Sequence, residues 1–230
     1  MTILQTEIGH QAEEYLLKYS QFNNQDLEPT FNSADQFPEP YMQISKLQAT
    51  ALQFFVTTLN IHTIIEVGTF VGFSIMTMAK VMNTDHSSLT TLETNTDFYH
   101  QAKTNQNQYL LASQAKGTHP ADAIANINFL NTDAYAYLAN LTNNEAAQID
   151  LLFLDGDKAN YPAYLEWAIE KLSPKSYLLI DNALFKRQVI SEESLYAKKI
   201  RETTNTLKEC GKFDYFFLPV GDCMIVAQKK

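Results

Sequence analysis

Three residues with oxygen-bearing side chains follow two aliphatic runs, and their types restrict the chemistry open to them. Asp155 ends Leu151-Leu152-Phe153-Leu154, and the pair Asp181-Asn182 ends Tyr177-Leu178-Leu179-Ile180. If the two runs are neighbouring strands, about 4.8 Å apart, these three groups could converge on one cation. All-oxygen ligation with room for water suits Mg²⁺, with Ca²⁺ or Mn²⁺ as alternatives, and excludes a structural zinc site. Neither segment contains His or Cys. Lys158 lies three residues beyond Asp155, over the same edge. Near a divalent cation and a second positive centre its pKa would be lowered by like-charge repulsion, making it a candidate general base. Taken singly, a solvated lysine or an ion pair with Asp157 is the plainer account.

A second constellation lies in Thr63 to Ser74, T-I-I-E-V-G-T-F-V-G-F-S. A β-branched run carries the acid Glu66 and ends at Gly68, after which Gly72 and Ser74 open a stretch with helical spacing. A strand, a tight turn and a helix follow from this. Gly68 permits a close backbone approach, and the helix start favours an anionic group. The spacing E-x-G-x-x-x-G is neither the dinucleotide fingerprint nor a P-loop, and no lysine follows Gly72 to cradle a triphosphate. An ordinary strand-to-helix turn would account for the motif alone equally well. Glu93 ends the next strand, where an acid in open parallel sheets accepts hydrogen bonds from the two ribose hydroxyls of a nucleoside.

These groups must be positioned by the elements around them. Strands are expected at Thr63 to Val67, Ser88 to Glu93, Ile127 to Leu130, Ile149 to Leu154 and Tyr177 to Asp181. Helices are expected between them at Gly72 to Met82, Thr96 to Ala115, Asp133 to Leu141 and Tyr161 to Leu172. The alternation predicts an α/β fold, a parallel sheet with helices on both faces. A last helix from Ser191 to about Cys210 precedes Lys212 to Leu218 and Met224 to Ala227. The turn Pro219-Gly221-Asp222 makes these an antiparallel hairpin at one edge, for seven strands in all. The first sixty residues read as a helical appendage, with helices at Gln11 to Ser20 and Tyr41 to Leu59 and with Pro29, Pro38 and Pro40 breaking regular structure between them. Phe22, Phe31, Phe37 and Tyr41 there suggest exposed aromatics for a lid or a subunit contact, simple packing on the core being the alternative.

At 230 residues, 45% hydrophobic and 19% charged, the chain fits one domain, residues 1–230, with a full core. The formal charge of −9 argues against a reader of nucleic-acid backbone, which needs a basic face. No run is apolar enough to span a bilayer, and the N-terminus has no basic-then-apolar leader, so a soluble cytoplasmic protein with no membrane partner is expected. Cys210 and Cys223 lack metal-type spacing and are expected as two reduced, buried thiols.

At these residues the sequence resembles the cation-dependent class I O-methyltransferases that use S-adenosylmethionine, the family of catechol and caffeoyl-CoA O-methyltransferases and their bacterial relatives. The likeness rests on M-Q-I-S at Met42, I-I-E-V-G-T-F-V-G-F-S at Ile64, T-L-E-T-N at Thr91, L-F-L-D-G-D-K-A-N-Y at Leu152, L-L-I-D-N at Leu178 and L-P-V-G-D at Leu218, in the family's order. It implies a Rossmann-like fold and a homodimer. It also implies that Glu66, Gly68 and Thr69 hold the methionine part and backbone of the cofactor, Ser74 its carboxylate, Glu93 its ribose, and that Ala134 lies by the adenine. Asp155, Asp181 and Asn182 match the family's metal ligands and Lys158 its proposed base. The implied reaction methylates one hydroxyl of a vicinal diol on a phenolic small molecule. The chain departs from the family at Ala183-Leu184-Phe185-Lys186-Arg187, at Pro174-Lys175-Ser176 and in a longer loop around Gly117 to Ala125, all of which bear on the acceptor pocket. The rival readings are a non-catalytic S-adenosylmethionine-binding module, which has no use for the Asp155, Asp181 and Asn182 set, a phosphoacceptor receiver domain and an NAD-dependent oxidoreductase.

Overall fold

Burial follows the apolar runs. The computed structural model describes residues 10–22, 24–82, 86–117, 124–191 and 193–230, and the polar stretch 114–126 lies in part outside them. All seven expected strands are formed. The chain divides into two compact units, residues 10–132 and 133–230.

The first unit contains α1 (His10–Tyr19), α2 (Lys46–Thr58), β1 (Thr63–Val67), α3 (Phe73–Ala79), β2 (Ser88–Glu93), α4 (Thr96–Ala115) and β3 (Ile127–Asn131). Its strands run in the order β3-β2-β1, all parallel, with Glu66 opposite Thr91 and Glu93 opposite Asn131. Four consecutive residues are buried in β1 and in β2, as strands covered on both faces require. In β3, Ile127 and Phe129 are buried while Asn128 is exposed, the pattern of a strand with one wet face.

Two helices of this unit begin later than their periodicity predicts, each for a local reason. The start of α2 is fixed by a capping box, in which Ser45 accepts from the Gln48 N–H and the Gln48 side chain accepts from the Ser45 N–H. Residues 40–42 form a separate 3-10 turn. Gly72 precedes α3 in the left-handed region, φ +84°. All seven residues of α3 are buried, which its apolar composition on every side permits. A Cβ on Gly72 would lie 3.1 Å from Cβ of Ala102 in α4. Gly72→Ala is therefore expected to destabilise the fold by about 1–2 kcal/mol from the left-handed backbone alone, measurable by denaturant unfolding.

The aromatics before α2 depart from expectation. Pro29 occupies the first turn of a one-turn helix, Glu28–Asn32, where its missing N–H costs nothing. Phe31 packs edge-on against Phe73 at 5.0 Å, and Phe37 against Phe98 at 5.0 Å. Of the four aromatics read as exposed, only Tyr41 is so, at 61%. The others are partly buried, Phe31 and Phe37 through these ring contacts.

The second unit contains α5 (Ala134–Asn140), β4 (Leu151–Leu154), α6 (Tyr161–Lys171), β5 (Tyr177–Ile180), α7 (Leu195–Cys210), β6 (Phe213–Leu218) and β7 (Met224–Lys229). Its strands run β4-β5-β7-β6, with β4 and β5 parallel and β7 antiparallel to β5 and β6, so the C-terminal hairpin is formed. Every residue of β4 is buried, whereas Phe216 and Phe217 of β6 are 50% and 45% exposed. Both cysteines are free thiols, Cys223 buried and Cys210 only partly. Among the described residues no helix is long and apolar enough to cross a membrane.

Candidate active site

In the first unit the acids expected at the site are tied into one network. Glu66 is fully buried in β1. Its Oε1 accepts from the Ser74 hydroxyl at 2.5 Å and its Oε2 from the Thr91 hydroxyl at 2.5 Å, and Thr91 shares a further hydrogen bond of 2.6 Å with Thr69. The parallel register makes this inevitable, since Glu66 and Thr91 are paired residues of β1 and β2. Burial pushes the Glu66 carboxyl up to about 8, against the hydrogen bonds from Ser74 and Thr91 that favour its charged form. Ser74 has one hydroxyl proton, and here it goes to Glu66.

The raised pKa has a consequence for stability. A carboxyl raised from 4.5 to about 8 binds its proton more tightly in the native state, so its contribution is complete below 4.5 and is lost as pH rises towards 8. Glu66→Gln removes that dependence. Between pH 5 and pH 8 the wild type is expected to lose several degrees more of Tm than the variant, at about 2–4 °C per kcal/mol for a chain of this size. Parallel thermal melts at the two pH values check this.

Glu93, half-buried at the end of β2, accepts three backbone N–H groups. Its Oε2 receives those of Thr69 at 3.2 Å and Phe70 at 3.0 Å, and its Oε1 that of Asn95 at 2.9 Å. Gly68, at φ +97°, turns the chain so that Thr69 and Phe70 can reach it. A carboxylate has about four acceptor positions, so one remains for a ligand hydroxyl without any movement of the turn.

In the second unit the register of β4 and β5 decides the geometry. Leu154 pairs with Ile180, so Asp155 and Asp181 leave the two strands at the same height, and the Asp181 N–H donates to the Leu154 carbonyl at 2.9 Å. Asp181 is 2% exposed. The hydroxyl of Tyr161, wholly buried at the start of α6, donates to the Leu154 carbonyl at 3.2 Å. Its pKa is raised well above the usual phenol value by burial and then by the charges of Asp155, Asp181 and Asp157. Burial and the charges of Asp181 and Asp222 likewise push the Cys223 thiol up to about 11. Negative potential is thus concentrated at the carboxyl ends of β4 and β5, which fits a bound cation. Among the described residues no three His, Cys, Asp or Glu side chains gather as metal ligands; the expected set contains only two such residues, its third member being the amide Asn182. Asn182 has φ +57°, a conformation asparagine tolerates better than most residues.

Lys158 is half-buried and opens a 3-10 turn, Lys158–Asn160, with Nζ 5.9 Å from the centre of the Tyr161 ring. The ion pair with Asp157 is not formed. Asp157 Oδ2 instead accepts from Asn160 at 2.8 Å and from the Tyr164 hydroxyl at 2.7 Å. Ala134 is buried as the first residue of α5, behind the cap Asp133. Thr91, Tyr161 and Asp222 were not singled out by residue type. All three lie within the quoted motifs T-L-E-T-N, L-F-L-D-G-D-K-A-N-Y and L-P-V-G-D, but only the strand register and the turn geometry give them partners.

Residues 19–230 match the model of a family described as O-methyltransferase. The chain is 24% identical over 191 residues to a catechol O-methyltransferase of Niastella koreensis, covering 83% of this chain and 80% of that one. It is 27% identical over 231 residues to a caffeoyl-CoA O-methyltransferase of Stellaria longipes, covering 96% and 89%. Its fold is that of the O-methyltransferase from Bacillus cereus solved in complex with SAH, with a TM-score of 0.80 at 22% identity over 97% of this chain and 99% of that one.

Proposed function

Because this chain belongs to the O-methyltransferase family, we propose that it moves a methyl group from S-adenosylmethionine to one hydroxyl of a catechol-like or other vicinal-diol phenol, with a divalent cation, foremost Mg²⁺, held by Asp155, Asp181 and Asn182. The observation that carries this reading is the equal register of β4 and β5, which delivers two carboxylates to one polar edge. The acceptor class follows the names of the two relatives, which act on catechol and on caffeoyl-CoA.

When bound, the sulfonium cofactor supplies an electrophilic methyl group, and the cation supplies the charge that favours a phenolate. Lys158 Nζ takes the proton of the attacking hydroxyl. Glu93 accepts a ribose hydroxyl at its remaining position, and accepting both hydroxyls requires the Thr69–Phe70 turn to release it. Glu66, Gly68 and Thr69 hold the methionine part and backbone of the cofactor, and Ala134 borders the adenine. Ser74 would reach the cofactor carboxylate by giving up its bond to Glu66, which a proton on Glu66 makes easier. A homodimer belongs to the same proposal, with the exposed Tyr15, Leu16 and Tyr19 of α1 as the surface a second copy would cover.

A panel of catechols and caffeoyl esters with labelled S-adenosylmethionine, run with and without EDTA, tests the reading. Label is expected on a vicinal diol and is expected to vanish with EDTA. Cofactor binding with no labelled acceptor would favour a binding module instead, and label insensitive to EDTA would remove the cation.

A further inference from the structure

Glu66 closes a chain of hydroxyls whose protons are all committed while it is ionised. The carboxyl is wholly buried, and Ser74, Thr91 and Thr69 are 6%, 0% and 3% exposed. With Glu66 ionised, Ser74 donates to Oε1 and Thr91 to Oε2, each at 2.5 Å, so Thr69 is left to donate to Thr91 at 2.6 Å. A hydroxyl has one proton, and none of the three has one left to give. An anion brought to Ser74 would then meet oxygen lone pairs with a negative charge behind them. Turning Ser74 round to serve that anion would strip a buried carboxylate of a charge-assisted hydrogen bond.

One proton reverses the arrangement. A carboxylic acid has an O–H of its own to donate. Placed on Oε1, it donates across the same 2.5 Å to Ser74 Oγ, and the Ser74 proton is released to point elsewhere. Thr91 goes on donating to Oε2, so no heavy atom has to move. Burial favours this neutral form, and Glu93 at the end of β2, the charged group that bears on Glu66, is of like sign and favours it too. The groups that touch the carboxyl from β2 and α3, Thr91 and Ser74, do not titrate.

Resting on the methyl-transfer reading, in which Ser74 meets the cofactor carboxylate, we propose that Glu66 is a positioning residue that works as the neutral acid: its proton goes to Ser74 Oγ, and the Ser74 hydroxyl donates to the carboxylate of S-adenosylmethionine. The ionised protein must then take up one proton from solvent to bind. With the Glu66 pKa at about 8, the acid form is about nine-tenths of the population at pH 7 and about a tenth at pH 9, so apparent affinity is expected to fall about tenfold between them.

The probe is S-adenosylhomocysteine, which keeps the carboxylate and lacks the reactive methyl group, titrated calorimetrically into the full chain and into Glu66→Gln. In the variant the amide N–H donates to Ser74 Oγ and the amide oxygen accepts from Thr91, the pattern of the acid at every pH. The variant is expected to bind within about threefold of wild type at pH 7, and its loss of affinity on going to pH 9 is expected to be about tenfold smaller. The ligand's amino group titrates in the same range but is common to both proteins, so the difference between the curves belongs to Glu66. The decarboxylated analogue, which keeps that amino group, is expected to show no difference. Equal pH dependence in the two proteins overturns the proposal. A loss beyond threefold in the variant at pH 7 also overturns it, since the charged carboxylate would then be the form required. Should the variant fail to fold, wild type decides alone: at pH 8 S-adenosylhomocysteine should take up about half a proton per site more than the decarboxylated analogue, read in two buffers of different ionisation enthalpy. Equal uptake overturns the proposal. No binding at any pH would strike the cofactor reading together with this inference, whereas binding with equal curves strikes the inference alone.

Discussion

Asp181→Ala is expected to reduce EDTA-sensitive methyl transfer to background while S-adenosylmethionine binds with near wild-type affinity. Asp181 is buried at the end of β5, level with Asp155 at the end of β4. In the proposed reading these carboxylates and Asn182 provide the only protein charge and oxygen for the cation. Asp155 and Asn182 alone cannot neutralise a divalent ion or fix its position. In the same reading cofactor affinity should survive because Glu66, Gly68, Thr69, Ser74 and Glu93, five of the six residues it gives to the cofactor, belong to the other unit. Asp181→Asn, which keeps volume and one oxygen, should retain partial activity at raised cation concentration. Calorimetry for the cofactor and a metal titration of turnover read the two effects separately. Lost cofactor binding together with unchanged cation dependence would reverse this division of roles.

The second large effect is expected at Lys158. Its replacement by alanine should lower kcat by roughly 10² or more, the range for a positioned general base. Asp157, one of the partners considered for this lysine, accepts instead from Asn160 and Tyr164. Binding of cofactor and cation should be little affected, so the loss should fall on kcat. A variant that turned over at the wild-type rate at every pH would leave Lys158 as a neighbour of the site and no more.

Most of the scaffold was legible because strands covered on both faces must be apolar throughout, and Leu151 to Leu154 could hardly be anything else. The acids at strand ends were legible for the complementary reason: a polar group ending such a run must face an edge. Helix starts were less so. The S-x-x-Q box at Ser45 was present in the sequence, but the apolar stripe continuing back to Tyr41 masked it. The partner relations of the site residues were not legible at all. That Glu66 meets Thr91, or that Asp222 meets Lys186, depends on strand register and on a turn of unusual backbone conformation, neither of which a spacing rule encodes. Phe31 and Phe37 were left open between an exposed contact and packing on the core, since composition cannot tell a side chain facing solvent from one folded onto its own unit.

The three amides gathered by Glu93 carry a last implication. In the conformation described, the carboxylate at the tip of β2 is answered by the very turn that a nucleoside would border, so loop and ligand compete for it. For a ligand that must place both hydroxyls on Glu93, the measured dissociation constant would then equal the intrinsic one divided by the fraction of molecules whose turn has let go. Recognition at this edge would be governed by how readily a short stretch of main chain surrenders an acid.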